Sequence, residues 1–166
     1  MKRWIAVLGV LLAVTGCSGL QKGEPEVPCP QTGFVMDADR VSKKDADAWM
    51  TGFKYVCHYR PQDGYYIEMS LPLMATKKAG TTALSVRLPY FISLLSPQEE
   101  ILKRNSFAAE IEFGDNGNGQ EVEEHNLHVP GMTPETAAGY KIALGFALTP
   151  EERAANQQHK TQRKAP

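Results

Sequence analysis

Tyr140-Lys141-Ile142-Ala143-Leu144-Gly145-Phe146-Ala147-Leu148 carries every large apolar side chain on an even-numbered position. Successive residues of a strand point to opposite faces, so this spacing describes a strand with one buried face. A helix would need apolar residues three and four apart. The alternation is the cleanest in the chain, and the strand is expected to be central in its sheet.

The same period recurs towards the N-terminus. Phe107, Ala109, Ile111 and Phe113 stand against Glu110 and Glu112. Leu84, Val86, Leu88, Tyr90, Ile92 and Leu94 stand against Ser85, Arg87 and Ser93, interrupted by Pro89. A proline donates no ladder hydrogen bond, so this strand is expected at an edge or bulge there, where strands commonly switch sheets. Ile67, Met69, Leu71 and Leu73 oppose Glu68 and Ser70. Trp49, Thr51, Phe53, Tyr55, Cys57 and Tyr59 read as one strand with an aromatic inner face, Cys57 included. Residues 32–36 predict a short apolar strand, and the charged stretch 37–47 a loop with one helical turn. Residues 122–129 form a polar strand beginning near Glu121, Glu123 and Glu124, expected at an edge where charge discourages pairing.

Turn chemistry separates these strands. Pro61-Gln62-Asp63-Gly64, Lys77-Lys78-Ala79-Gly80 and Gly114-Asp115-Asn116-Gly117-Asn118-Gly119 contain residues that preset or tolerate turn conformations. Ser96-Pro97-Gln98-Glu99 predicts one helical turn or a tight turn, Thr133-Pro134-Glu135 a brief turn, and Thr149-Pro150-Glu151-Glu152 the start of a short terminal helix. From Gln157 the chain is polar, with Lys160, Arg163 and Lys164, and residues 157–166 are expected to be a disordered basic tail. About seven strands without βαβ alternation indicate an antiparallel all-β domain over residues 31–156. The expected architecture is an immunoglobulin-like β-sandwich with a short C-terminal helix; a small β-barrel is the alternative.

The N-terminus supplies an address. Lys2 and Arg3 precede an apolar run from Trp4 to Val14, and Thr15-Gly16 bring small residues before Cys17. This layout is that of a secretory signal, and it is too short for the ~20 apolar residues of a permanent membrane span. Val14-Thr15-Gly16-Cys17 resembles a bacterial lipobox. That resemblance implies a diacylglyceryl group on the Cys17 sulfur and cleavage between Gly16 and Cys17. Residues 17–30 hold prolines, glycines and mixed charge with no apolar period, as in a flexible tether. Ser18 stands where an inner-membrane retention signal would carry Asp, so the resemblance implies an outer-membrane anchor facing the periplasm of a Gram-negative bacterium.

Loss of Lys2 and Arg3 with the signal takes the net charge from −1 to −3. A nucleic-acid binder would show a basic excess. With Cys17 assigned to lipid, Cys29 and Cys57 remain, and in an oxidising compartment such a pair is expected to form a disulfide. A redox pair would want Cys-x-x-Cys spacing, and a zinc site more ligands.

Candidate chemistry is sparse. His125 and His128 lie three apart, so on a strand their imidazoles face opposite sides and do not converge on a metal, leaving an exposed polar edge as the expectation. Residues 115–119 fail the calcium-loop pattern, which needs oxygen side chains where Gly117 and Gly119 stand and glycine at Gln120. No Gly-x-Ser-x-Gly occurs, and Cys57 and His58 point to opposite faces of their strand. The basic tail is expected to stay solvated, with contact to anionic headgroups as the alternative.

Cys29-Pro30, residues 88–92 (LPYFI), residues 96–102 (SPQEEIL) and residues 145–152 (GFALTPEE) together resemble a family of small lipoproteins of Gram-negative bacteria, mainly alphaproteobacteria. The likeness spans nearly the whole mature chain and implies an address and a fold. It transfers no catalytic motif. The expectation is a non-catalytic interaction or structural module that binds another envelope protein without cofactor or metal. The alternative is a ligand-binding or hydrolytic lipoprotein acting on cell-wall or lipid material.

Overall fold

The computed structural model describes residues 27–164, with side chains to Gln158. Gly16, Cys17 and most of the expected tether lie outside the described residues. Nine strands form two sheets: β1 (Gln31–Phe34), β2 (Arg40–Ser42), β3 (Ala46–Met50), β4 (Lys54–Arg60), β5 (Gly64–Lys77), β6 (Ser85–Leu95), β7 (Ile101–Glu112), β8 (Asn118–Val129) and β9 (Lys141–Phe146). Helix α1 (Pro134–Ala137) precedes β9, and α2 (Pro150–Lys164) follows it.

One sheet has the order β1-β9-β6-β7. In the other, β5 pairs with β3 and β4 laid end to end along one side and with β8 along the other, while β2 adds to β3. Besides the step from β1 to β2, the chain crosses between sheets after β5, β7 and β8. These are the crossings of an immunoglobulin-like sandwich, β3/β4-β5-β8 against β7-β6-β9. The all-antiparallel expectation needs one correction. β1 takes the outer place beside β9 and runs parallel to it, Thr32 opposite Ile142 and Phe34 opposite Leu144. No hairpin joins the two strands, so nothing in the connection forces the antiparallel sense.

The core follows the period-two reading. Ile67, Leu71 and Leu73 of β5, Leu88 and Tyr90 of β6, Ala109 and Ile111 of β7, and Leu144 of β9 are fully buried. β9 is central, between β1 and β6. Gly145 has no side chain for a reason of packing: a Cβ there would lie 2.6 Å from the Ala38 Cβ on the outer face of the sheet.

Four local expectations are corrected. The aromatic stretch 49–59 is two strands, because residues 51–53 face only two residues of β5 between the Met50–Leu73 and Lys54–Ser70 pairs. This bulge, with Gly52 at φ 151°, reverses the inward face, so Ala46, Ala48 and Met50 are buried before it while Phe53, Cys57 and Tyr59 pack inward after it. The predicted loop 37–47 contains β2 and the start of β3, held by buried Val41.

Pro89 lies at a local edge, as expected, because β9 ends at Phe146, opposite Tyr90, and residues 85–89 pair only with β7; it is the expected switch of sheets that does not occur. The Pro89 carbonyl accepts from Ala147 N–H at 2.9 Å on that side, so its missing donor faces the end of β9, and β6 stays in one sheet throughout. Helix α2 runs on to Lys164, past Gln157 where disorder was expected. Its start is a capping box, Glu152 N–H donating to Thr149 Oγ1 at 3.2 Å and Thr149 N–H to Glu152 Oε2 at 2.9 Å.

Candidate interaction surface at the strand seam

β7 and β8 are the legs of one hairpin, turned by residues 113–117 with Gly117 at φ 75° and Asn116 Oδ1 accepting from Asn118 N–H at 2.9 Å. The glycine-rich stretch is therefore a turn. Its legs belong to different sheets: among the described residues β7 pairs with β6 and β8 with β5. Each is 12 residues long and leaves one backbone edge unpaired in the strand ladders.

Between the diverging legs lies a small cleft open to solvent. It is lined by Ile92, Leu94, Leu127, Val129 and Ile142, with Lys103 and Asn105 from β7 and the backbone stretch 126–128 of β8. The sandwich interior comes close to solvent here because no strand closes the gap.

A polar network fills the seam further along. Tyr90 is wholly buried, and its Oη donates to Glu123 Oε2 at 2.9 Å. The single phenolic proton is then committed, so His125 Nε2 must carry hydrogen and donate to Tyr90 Oη, also at 2.9 Å. Phe107 lies 4.4 Å from the His125 ring and 5.4 Å from the Tyr90 ring, centroid to centroid. Burial, reinforced by the Glu123 carboxylate, pushes the Tyr90 phenol well above its ordinary range. Burial also lowers His125 against the opposing pull of Glu123 and Glu124. The network satisfies buried polar atoms and holds β8 against β6 across the interior.

His125 thus turns inward and is 9% exposed, a correction to the exposed edge expected for both histidines. His128 points outward, stacked on Tyr66 at 4.5 Å with its Nε2 at 2.8 Å from the Asp63 carbonyl. Among the described residues, no three metal-binding side chains gather. Cys29 and Cys57 lie at disulfide distance, Cα atoms 5.8 Å apart. Tyr65 Oη donates to the Pro28 carbonyl at 3.0 Å, so the incoming N-terminal segment is tied to β4 and β5. His58 is 3.9 Å from Glu68 and faces away from the core, apart from Cys57.

The Tyr90–Glu123–His125 network was missed in the sequence because Tyr90 reads as one more apolar position of β6. The only available signal was that a buried tyrosine hydroxyl needs a partner. No protein-family model, curated protein or solved structure matches the chain. Among the described residues no helix is long and apolar enough to cross a membrane.

Proposed function

We propose that this chain is an outer-membrane-anchored periplasmic lipoprotein of a Gram-negative bacterium and serves as a non-catalytic interaction module of the cell envelope. In this reading Cys17 carries diacylglyceryl and an added acyl chain, residues 17–30 form the tether, and the sandwich is what the anchor presents to neighbouring proteins. Two or three acyl chains, at about 0.8 kcal/mol per buried methylene, hold a protein on a membrane far better than one. The Cys29–Cys57 pair fits an oxidising compartment. The observation that carries the binding role is the pair of 12-residue edges flanking an open seam, since unpaired strand edges take up extended segments of partner chains. We also propose membership of the small Gram-negative lipoproteins that its motifs resemble.

Mass spectrometry of the mature N-terminus is expected to find an acylated Cys17, and Cys17→Ser to release the protein from membranes. An unmodified start elsewhere would overturn the address. Crosslinking followed by pull-down from detergent-solubilised envelope is expected to recover a specific partner, and recovery of none would remove the binding role.

A second reading takes its support from the seam cleft, whose apolar lining and Lys103 would suit a small amphiphile with an anionic head. Titration with a fatty acid, read as chemical-shift changes at Leu127 and Lys103, separates it from the first.

A further inference from the structure

The uncovered edges differ in length and charge. β1 has 4 residues and β4 has 7, whereas β7 and β8 have 12 each. β8 carries Glu121, Glu123 and Glu124 in its middle, so two copies laid antiparallel along β8 would bring like charges together. β7 carries its charges in the opposite way, with Lys103 and Arg104 near its start and Glu110 and Glu112 near its end. Reversing such a strand against itself sets positive against negative.

The backbone selects the register. Phe113 N–H donates to the Leu84 carbonyl at 2.8 Å on the β6 side. Odd-numbered residues of β7 therefore direct their N–H and C=O groups to β6, and even-numbered ones direct theirs outward. Hydrogen-bonded pairs across a new edge must then join even-numbered residues. On the outer face Arg104 lies over the Phe91 ring at 3.7 Å, and Glu110 accepts from Ser85 Oγ at 2.9 Å. Both side chains therefore lie on the outer face, turned toward β6 in the single copy, and would exchange these contacts for each other across a new edge.

We infer that β7 pairs edge to edge with β7 of a second copy of this chain, antiparallel about a two-fold axis at Phe107, with Arg104 of each copy opposite Glu110 of the other. Ser106 then pairs with Ala108 on either side of the axis, and the two Phe107 rings meet at its centre as a non-hydrogen-bonded pair. The two four-stranded sheets become one continuous sheet through an isologous interface. The inference rests on the reading of the uncovered edges as interaction surface and names the first partner of one of them.

Sedimentation velocity of the full chain in mild detergent, over a dilution series, tests it. A dimer is expected that dissociates on dilution. Arg104→Glu and Glu110→Arg should each weaken it about tenfold, and the double reversal should restore it, because opposite-charge cross-strand pairs stabilise and like pairs repel. Ala108→Pro removes an outward N–H while sparing the β6 ladder, and should leave a folded monomer by circular dichroism. A wild-type chain that stays monomeric, or a dimer indifferent to Ala108→Pro and to charge reversal, overturns the pairing. If the chain is monomeric yet the wild-type bait captures an envelope protein that the Ala108→Pro bait loses, self-pairing falls and the edge still binds. Loss of both takes the interaction reading down as well.

Discussion

At the scale of single residues, the Tyr90 hydroxyl places a polar group inside the seam. Tyr90→Phe keeps the ring and deletes the oxygen, leaving Glu123 and His125 without that partner inside the seam. Chemical denaturation is expected to show a loss of about 1–3 kcal/mol, the usual cost of orphaning buried polar groups. His125 adds a pH dependence whose sign follows from burial. Its folded-state value lies below the ordinary 6.5, so the unfolded chain takes up a proton first as pH falls. Stability is full above 6.5 and declines as pH drops from there through the folded-state value. Denaturation midpoints of the wild-type chain should fall across that window, and His125→Gln should flatten the slope. Glu99, Glu135, Glu151 and Glu152 are also lowered, Glu99 by its contact with Lys141, so their contribution is full above 4.5 and is lost as pH falls from there.

At the scale of elements, helix α2 is anchored to the fold through polar side chains, Asn156 and Glu152 among the described residues. Asn156 is buried and donates from Nδ2 to the carbonyls of Asp37 and Arg40 at 2.7 and 2.8 Å, while Lys43 Nζ lies 2.7 Å from Glu152 Oε1. Asn156→Ala is expected to cost about 1–3 kcal/mol through the loss of its two buried hydrogen bonds. Hydrogen exchange should then speed up over residues 150–158 while β5 and β6 keep their protection. An unchanged exchange pattern would mean that the helix is held by something else. The capping box at Thr149 was legible in the sequence because all its parts lie within four residues. The partners of Asn156 were not, since they come from more than a hundred residues away. The bulge at Gly52 was hidden for a similar reason: one extra residue is visible only once β5 is laid beside the stretch.

At the scale of the whole molecule, the bridge between Cys29 and Cys57 and the hydrogen bond to Pro28 fix where the N-terminal segment leaves the sandwich. The cysteines are separated by 28 positions, and the chain-entropy account gives a loop of that size roughly 3–4 kcal/mol of stabilisation. Cys29→Ser/Cys57→Ser is expected to lower the unfolding free energy by about that amount, measured by urea denaturation with and without reductant. Reductant should have no effect on the double variant. β1 loses its nearest covalent tie in that variant, so its parallel pairing with β9 should exchange faster than the β6–β7 hairpin.

Sequence alone determined the inward faces of β5, β6, β7 and β9, the all-β class, the capped terminal helix and the pairing of two leftover cysteines, because period, turn chemistry and counting are local properties of the chain. It also carried the proposed address in the Val14-Thr15-Gly16-Cys17 stretch. Tertiary structure alone decided that β1 lies parallel to β9, that α2 extends to Lys164, that His125 is buried against Tyr90 and Glu123, and that β7 and β8 diverge into opposite sheets. Those outcomes depend on which distant backbone supplies each hydrogen bond and which side chain reaches a buried polar atom. A periodic pattern says which face of a strand is inward, but not which strand lies beside it.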